Sequence, residues 1–289
     1  MHICRELFKF FQERTQNGEK EITLNLHSSY KNTQNFLLDD MIVSAIRAEK
    51  VIAPFSFCAP ASFFDLKNSY IKVTLLNINS LKISYEFFGI KKNLFFDYSN
   101  CVNLILNNYF KFNLTDEFIK YFYKYLENSK CEGSLFSQYY VKSDKFIYEK
   151  LNKLKHLGLT SNEKHPELGE VLSNLIGLGV GLTPSGDDFI LGFIFVLKLY
   201  NFQNINYVVS ELEEKVDKTN DISKAMLING FKFRFNSNLI NLSHILGCFS
   251  SGQEHVCINK ISLLQNYGHS SWQDCLFGVY CALIFFSNN

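Results

Sequence analysis

Residues 177–200 read GLGVGLTPSGDDFILGFIFVLKLY. From Phe189 to Tyr200 a helix drawn through this stretch is apolar on every face except at Lys198. That is the pattern of a helix surrounded by others, not of one lying on a surface. Partners for it can be read on both sides. TDEFIKYFYKYLENS (115–129) opens with a capping Thr115 and two acids, then sets Phe118, Tyr121, Phe122, Tyr125 and Leu126 on one helical face. DKFIYEKLNKLKHLG (144–158) carries Lys and His in its last turn and Gly158 as a stop. HPELGEVLSNLIG (165–177), ISKAMLINGF (222–231) and SWQDCLFGVYCALIFF (271–286) also read as helices.

Before Thr115 the period changes to two. EITLNLH (21–27), YIKVTLL (70–76) and LKISYEFF (81–88) alternate apolar and polar residues, as half-buried strands do. VIAPFSFCAP (51–60) carries Pro54 and Pro60, so it reads as an edge strand or a loop. The expected class is α+β: a β-rich part over 1–112, then a mostly helical part over 113–289 that carries the glycine-rich loop.

A chain of 289 residues that is 47% hydrophobic, with 29 phenylalanines, can bury a sizeable core, and disorder is excluded. The 29 basic residues balance 28 acids, which leaves no electrostatic footprint for nucleic acid or an acidic membrane. A small-molecule or protein partner is expected instead. None of the 8 cysteines forms a C-x-x-C pair, and their spacing matches no common zinc pattern. The start, MHICRELFKFFQERTQ, lacks the apolar core and cleavage site of a signal peptide, and no uncharged apolar run is long enough to span a bilayer. Reduced thiols in a cytoplasmic protein are the expectation.

Two polar clusters precede apolar helices. In the first, Gly177, Gly179 and Gly181 free the backbone to turn or to approach a ligand, and Thr183, Ser185, Gly186, Asp187 and Asp188 follow at once. Taken as structure, Ser185 is an N-cap with Asp188 completing a capping box, and Asp187 lies in the first turn, where the helix dipole favours an anion. That explains one acid well and the second adequately, but not the density of small, flexible and polar residues, which suits a ligand loop. A bare helix start suits phosphate, yet two carboxylates repel it. Either Mg²⁺ held by Asp187 and Asp188 bridges them, or the acids accept hydrogen bonds from an N–H-rich group such as a carbamoyl amide. The second cluster, GHSSWQDCLFG (268–278), offers Gly268, His269, Ser270, Ser271 and Asp274, and Ser271 with Asp274 repeats the capping spacing. In TNDIS, Thr219 and Ser223 stand four apart and can share a helical face. Three helix starts of this kind can pool their free amides around one anion, with the carboxylate of Asp187 or Asp188 exposed to the pocket.

Together GLGVGLTPSGDDFILG, the Thr219/Ser223 helix and GHSSWQD resemble the AllH-type family, in order over most of residues 165–286. The chain departs from the family pattern at Trp272, where the family has glycine and where an indole narrows that part of the site. The resemblance implies a subunit of oxamate carbamoyltransferase in purine and allantoin nitrogen catabolism, converting oxalurate and phosphate to oxamate and carbamoyl phosphate. It also implies FdrA-type and AllG-type partner proteins, with activity only in their company. Carried onto this sequence, the catalytic candidates are Asp187, Asp188 and His269. Those for substrate or phosphate are Gly179, Gly181, Thr183, Ser185, Gly186, Thr219, Ser223, Ser270, Ser271 and Asp274. Two other readings stay open: a stand-alone Mg²⁺-dependent phosphate- or nucleotide-binding enzyme, and a non-catalytic scaffold whose motifs only cap helices. Phe231, Phe233 and Phe235 around Arg234 offer either a docking face or core.

Overall fold

Alternation builds the first part of the chain and helical periodicity the second. The structure, a computed structural model, describes residues 1–48, 50–65, 67–107, 114–142, 144–156, 166–264 and 270–287. The chain is α+β and divides into two units, Met1–Ile105 with Phe235–Ser237, and Leu106–Arg234 with Asn238–Asn289.

The first unit holds nine strands: β1 (Ile3–Cys4), β2 (Ile22–Ser29), β3 (Thr33–Leu38), β4 (Met41–Arg47), β5 (Ser56–Ala59), β6 (Tyr70–Asn77), β7 (Ser80–Phe87), β8 (Ile90–Asp97) and β9 (Cys101–Val102). They form one sheet in the order β8-β7-β6-β2-β3-β4-β5-β1-β9, parallel at β4–β5 and β1–β9 and antiparallel elsewhere. The period-2 reading gives the core face directly, since Ile22, Leu24, Ile71, Val73, Leu81, Ile83, Leu94 and Phe96 are buried. Helix α1 (Arg5–Gln16) buries Leu7, Phe8 and Phe11, an i, i+1, i+4 stripe. The reading of VIAPFSFCAP as edge or loop is corrected. Ser56–Ala59 is a fully buried strand between β4 and β1, and both prolines fall outside it, where no ladder amide is needed.

The second unit is helical: α2 (Asp116–Asn128), α3 (Leu135–Val141), α4 (Lys145–His156), α5 (Pro166–Ser173), α6 (Ser185–Leu199), α7 (Ile205–Glu213), α8 (Asp221–Phe231), α9 (Ser237–Gly247), α10 (Glu254–Ser262) and α11 (Ser271–Ser287). Thr115 caps α2 as expected, its hydroxyl accepting the Phe118 amide at 3.0 Å. Gly158, read as the stop of α4, lies outside the described residues. Every residue of α6 is buried except Lys198, which is half-buried with its Nζ 3.9 Å from the centre of the Phe233 ring. Of the two readings left open around Arg234, docking face or core, the core holds for Phe231 and Phe235, which are buried, while Phe233 is half-buried. Among the described residues no helix is long and apolar enough to cross a membrane. All 8 cysteines are free thiols.

Candidate functional site

Two glycines set the position of everything else. A Cβ on Gly192 of α6 would lie 1.9 Å from the Cys275 carbonyl of α11, and one on Gly278 of α11 would lie 2.0 Å from the Phe189 carbonyl of α6. The two backbones therefore touch at a distance that no larger residue permits. The helices run parallel, because Thr183 meets Ser271 before α6 while Phe193 meets Phe285 further along both. Their N-terminal ends, with the positive ends of two helix dipoles, thus lie side by side.

Asp187 is fully buried and serves as a local hub. Its Oδ1 accepts the Gly177 amide at 2.8 Å, while its Oδ2 accepts the hydroxyls of Thr219 at 2.5 Å and Ser223 at 2.6 Å. Gly177 reaches this position at φ 74°, and a Cβ there would lie 2.6 Å from the Lys218 carbonyl. Asn220 in turn caps α8 by accepting the Ile222 and Ser223 amides, both at 3.1 Å, which fixes Ser223 for its bond. Three donors thus tie the loop before α6 to the start of α8 through one carboxyl group.

Asp188 behaves in the opposite way. It is 1% exposed, and neither of its oxygens has a hydrogen-bond partner. The hydroxyls beside it, Thr183 and Ser271, bond to each other at 2.8 Å. Burial pushes its pKa well above the usual carboxylate range; Asp274 and Asp187 add to the rise, and the Ser271 and Thr183 hydroxyls oppose it. Helix dipoles favour an anion here by about 0.3–1 kcal/mol each, but a dry site without a cation costs an anion more, so burial wins. Asp274 completes the group. Its Oδ1 accepts the Leu135 amide at the start of α3 at 2.7 Å, and its Oδ2 has no partner. Burial lifts its pKa to about 7 against the opposing Ser185 hydroxyl and Leu135 amide. The buried thiol of Cys275, next in sequence, is raised by burial and by both acids.

Both capping boxes are therefore corrected. Pro184, not Ser185, stands at the cap of α6, and no side chain caps that end. Asp274 bonds to α3, not to its own helix. The pooled amides are corrected as well: in α6 the Gly186, Asp187 and Asp188 amides already donate to the carbonyls of Leu178 and Pro184. Neither Asp187 nor Asp188 exposes a carboxylate, since both are buried. Thr183, Ser185, Asp187, Asp188, Thr219, Ser223, Ser271 and Asp274 do come together. Ser270 contributes its carbonyl, which accepts the Asp274 amide at 3.0 Å. Gly186 is packed so that a Cβ would lie 1.9 Å from the Leu175 carbonyl. Gly179 and Gly181 stand at φ 117° and 99° in an exposed turn, where the amides of residues 179–182 donate to no group among the described residues. Gly268 and His269 lie outside the described residues.

Trp272 is buried at 4% exposure and its Nε1 has no partner. Sequence reading missed the Leu135 amide, whose partner is 139 residues away and leaves no local trace. It also missed Asn220, although Asn just ahead of a helix is itself a capping signal.

Among the described residues no three His, Cys, Asp or Glu side chains gather as a metal-binding group. Asp187 already accepts three donors, while both oxygens of Asp188 and the Oδ2 of Asp274 have no hydrogen-bond partner.

The acids, the hydroxyls and both glycine contacts fall in one span of sequence. Residues 175–283 match the AllH family, described as oxamate carbamoyltransferase subunit AllH. This is the family that the motifs resemble. An AllH protein is by that description a subunit, which works beside partner chains. The match takes in α6 to α10 and all but the last turn of α11, and leaves all nine strands outside. No solved structure matches the chain.

Proposed function

We propose that this chain is the AllH subunit of an oxamate carbamoyltransferase, acting with FdrA-type and AllG-type proteins in the cytoplasm on a small ureido acid during purine and allantoin breakdown. One observation carries the reading: within the matched span, Asp188 is buried with both oxygens unpartnered, although an unsatisfied buried polar group costs about 1–3 kcal/mol. Folding alone gives no reason to keep it, and a bound ligand does.

In the reaction proposed, a phosphate oxygen attacks the ureido carbonyl carbon of oxalurate. The C–N bond then breaks with its electron pair on nitrogen. The proton lost by the phosphate ends on that nitrogen, and carbamoyl phosphate and oxamate result. Negative charge gathers on the ureido oxygen as the attack proceeds. A neutral Asp188 carboxyl can donate its O–H there, and burial favours that neutral form. Phosphate suits the exposed amides of residues 179–182 better than the interior, where the Gly186, Asp187 and Asp188 amides already donate to carbonyls and Asp187 already takes three donors. The bonds through Asp187 hold both parts in register.

Co-expression with FdrA-type and AllG-type proteins, followed by an assay of phosphate-dependent oxalurate cleavage, tests the reading. The complete set should turn over. Omitting this chain should abolish activity, and full activity without it would overturn the reading.

A further inference from the structure

We propose that Asp188 binds the primary carboxamide edge of a small ligand, through a ring of two hydrogen bonds between its carboxyl group and the ligand's C=O and NH₂. The inference rests on the reading above in taking the α6–α11 end as a ligand site, and it goes beyond that reading in naming the chemical group that this residue recognises.

Both Asp188 oxygens are unpartnered, so the complement must satisfy two atoms of one planar group. The groups facing it are the acids Asp187 and Asp274, the Cys275 thiol, and the hydroxyls of Thr183 and Ser271. None is a cation, and among the described residues no Lys, Arg or His pairs with it. An anionic ligand group would be desolvated there with no cation beside it among the described residues, which disfavours phosphate or carboxylate at this point. Burial favours the neutral carboxyl, which offers one O–H donor and one C=O acceptor side by side. The group that returns one acceptor and one donor at matching spacing is the –CO–NH₂ edge of an amide or urea. The Asp274 Oδ2, also unpartnered, is free for the second N–H of the same NH₂. Thr183 and Ser271 share one hydrogen bond at 2.8 Å, which uses one of their two hydroxyl hydrogens and leaves the other beside Asp188 for a ligand.

Isothermal titration of the full chain with oxamate, and with pyruvate as its isostere bearing methyl in place of NH₂, tests the proposal. Oxamate should bind at least about tenfold more tightly than pyruvate, the loss expected when a buried polar pair goes unmatched. Asp188→Asn keeps one donor and one acceptor on the same plane, so oxamate affinity should stay within about threefold, whereas Asp188→Leu should cost about tenfold or more. Equal binding of oxamate and pyruvate, no oxamate binding, or undiminished binding in Asp188→Leu would overturn the proposal. So would Mg²⁺ binding that both variants abolish. These outcomes are separate from turnover in the assembled proteins: a complex that cleaves oxalurate while the chain fails to select oxamate refutes this proposal alone. A chain that selects oxamate beside an inactive complex refutes the reading of function alone.

Discussion

Asp187 and Asp188 are adjacent in sequence, equally buried, and different in kind. Three donors meet Asp187, which makes it a joint between the loop and α8, while neither oxygen of Asp188 has a hydrogen-bond partner. The density of polar residues in GLTPSGDD announced a site, but which acid builds it and which faces a ligand depends on donors 10, 32 and 36 residues away. Asp274 supplies a prediction on pH. Its ordinary pKa is 3.8 and burial raises it to about 7 in the folded chain. Between those values the folded state holds a proton that the unfolded state has released. Its contribution to stability is therefore whole below 3.8 and is lost as pH rises towards about 7. Asp188 shifts in the same direction. The urea midpoint of the wild type should fall across this interval, and Asp274→Asn, which can still accept the Leu135 amide, should fall less. Parallel curves for the two proteins would contradict this assignment.

At the scale of elements the contact between α6 and α11 sets the site, because Gly192 and Gly278 bring both N-terminal ends to one place. An added methyl carbon would lie 1.9 or 2.0 Å from a backbone carbonyl, so neither Gly192→Ala nor Gly278→Ala can be absorbed by a side-chain shift. Each should destabilise the chain by about 1–3 kcal/mol or more in urea unfolding. A change below about 0.5 kcal/mol in either would show that the helices part freely. Sequence reading found α6 from its all-round apolar character, read α11 as a helix beside it, and found β2, β6 and β7 from alternation. It missed α1, whose charged residues diluted the apolar stripe, and β8, where the run Ile90–Asn93 is exposed on both faces and alternation fails. It misplaced Ser56–Ala59 because prolines that flank a strand look, in a short window, like prolines within it. Parallel packing of α6 on α11 left no trace in either segment alone, although a glycine in the middle of each helix was visible.

For the whole molecule, the AllH match and the polar cluster occupy the same stretch, and the strands β1 to β9 precede it. Thr183 and Ser271 are bonded over a buried acid, while Val180 and Leu182 in the adjoining turn are 93% and 42% exposed. The central claim is that Asp188 is retained for a ligand at a cost to the fold. The most direct test is a paired measurement on Asp188→Leu: the unfolding midpoint of the chain, and phosphate-dependent oxalurate cleavage by the co-expressed complex. Removing an unpartnered buried acid should raise the midpoint. Removing a donor to the developing oxyanion should lower turnover by about 10²-fold or more with the complex still assembled. A variant that is less stable than wild type, or as stable and fully active, would contradict the account.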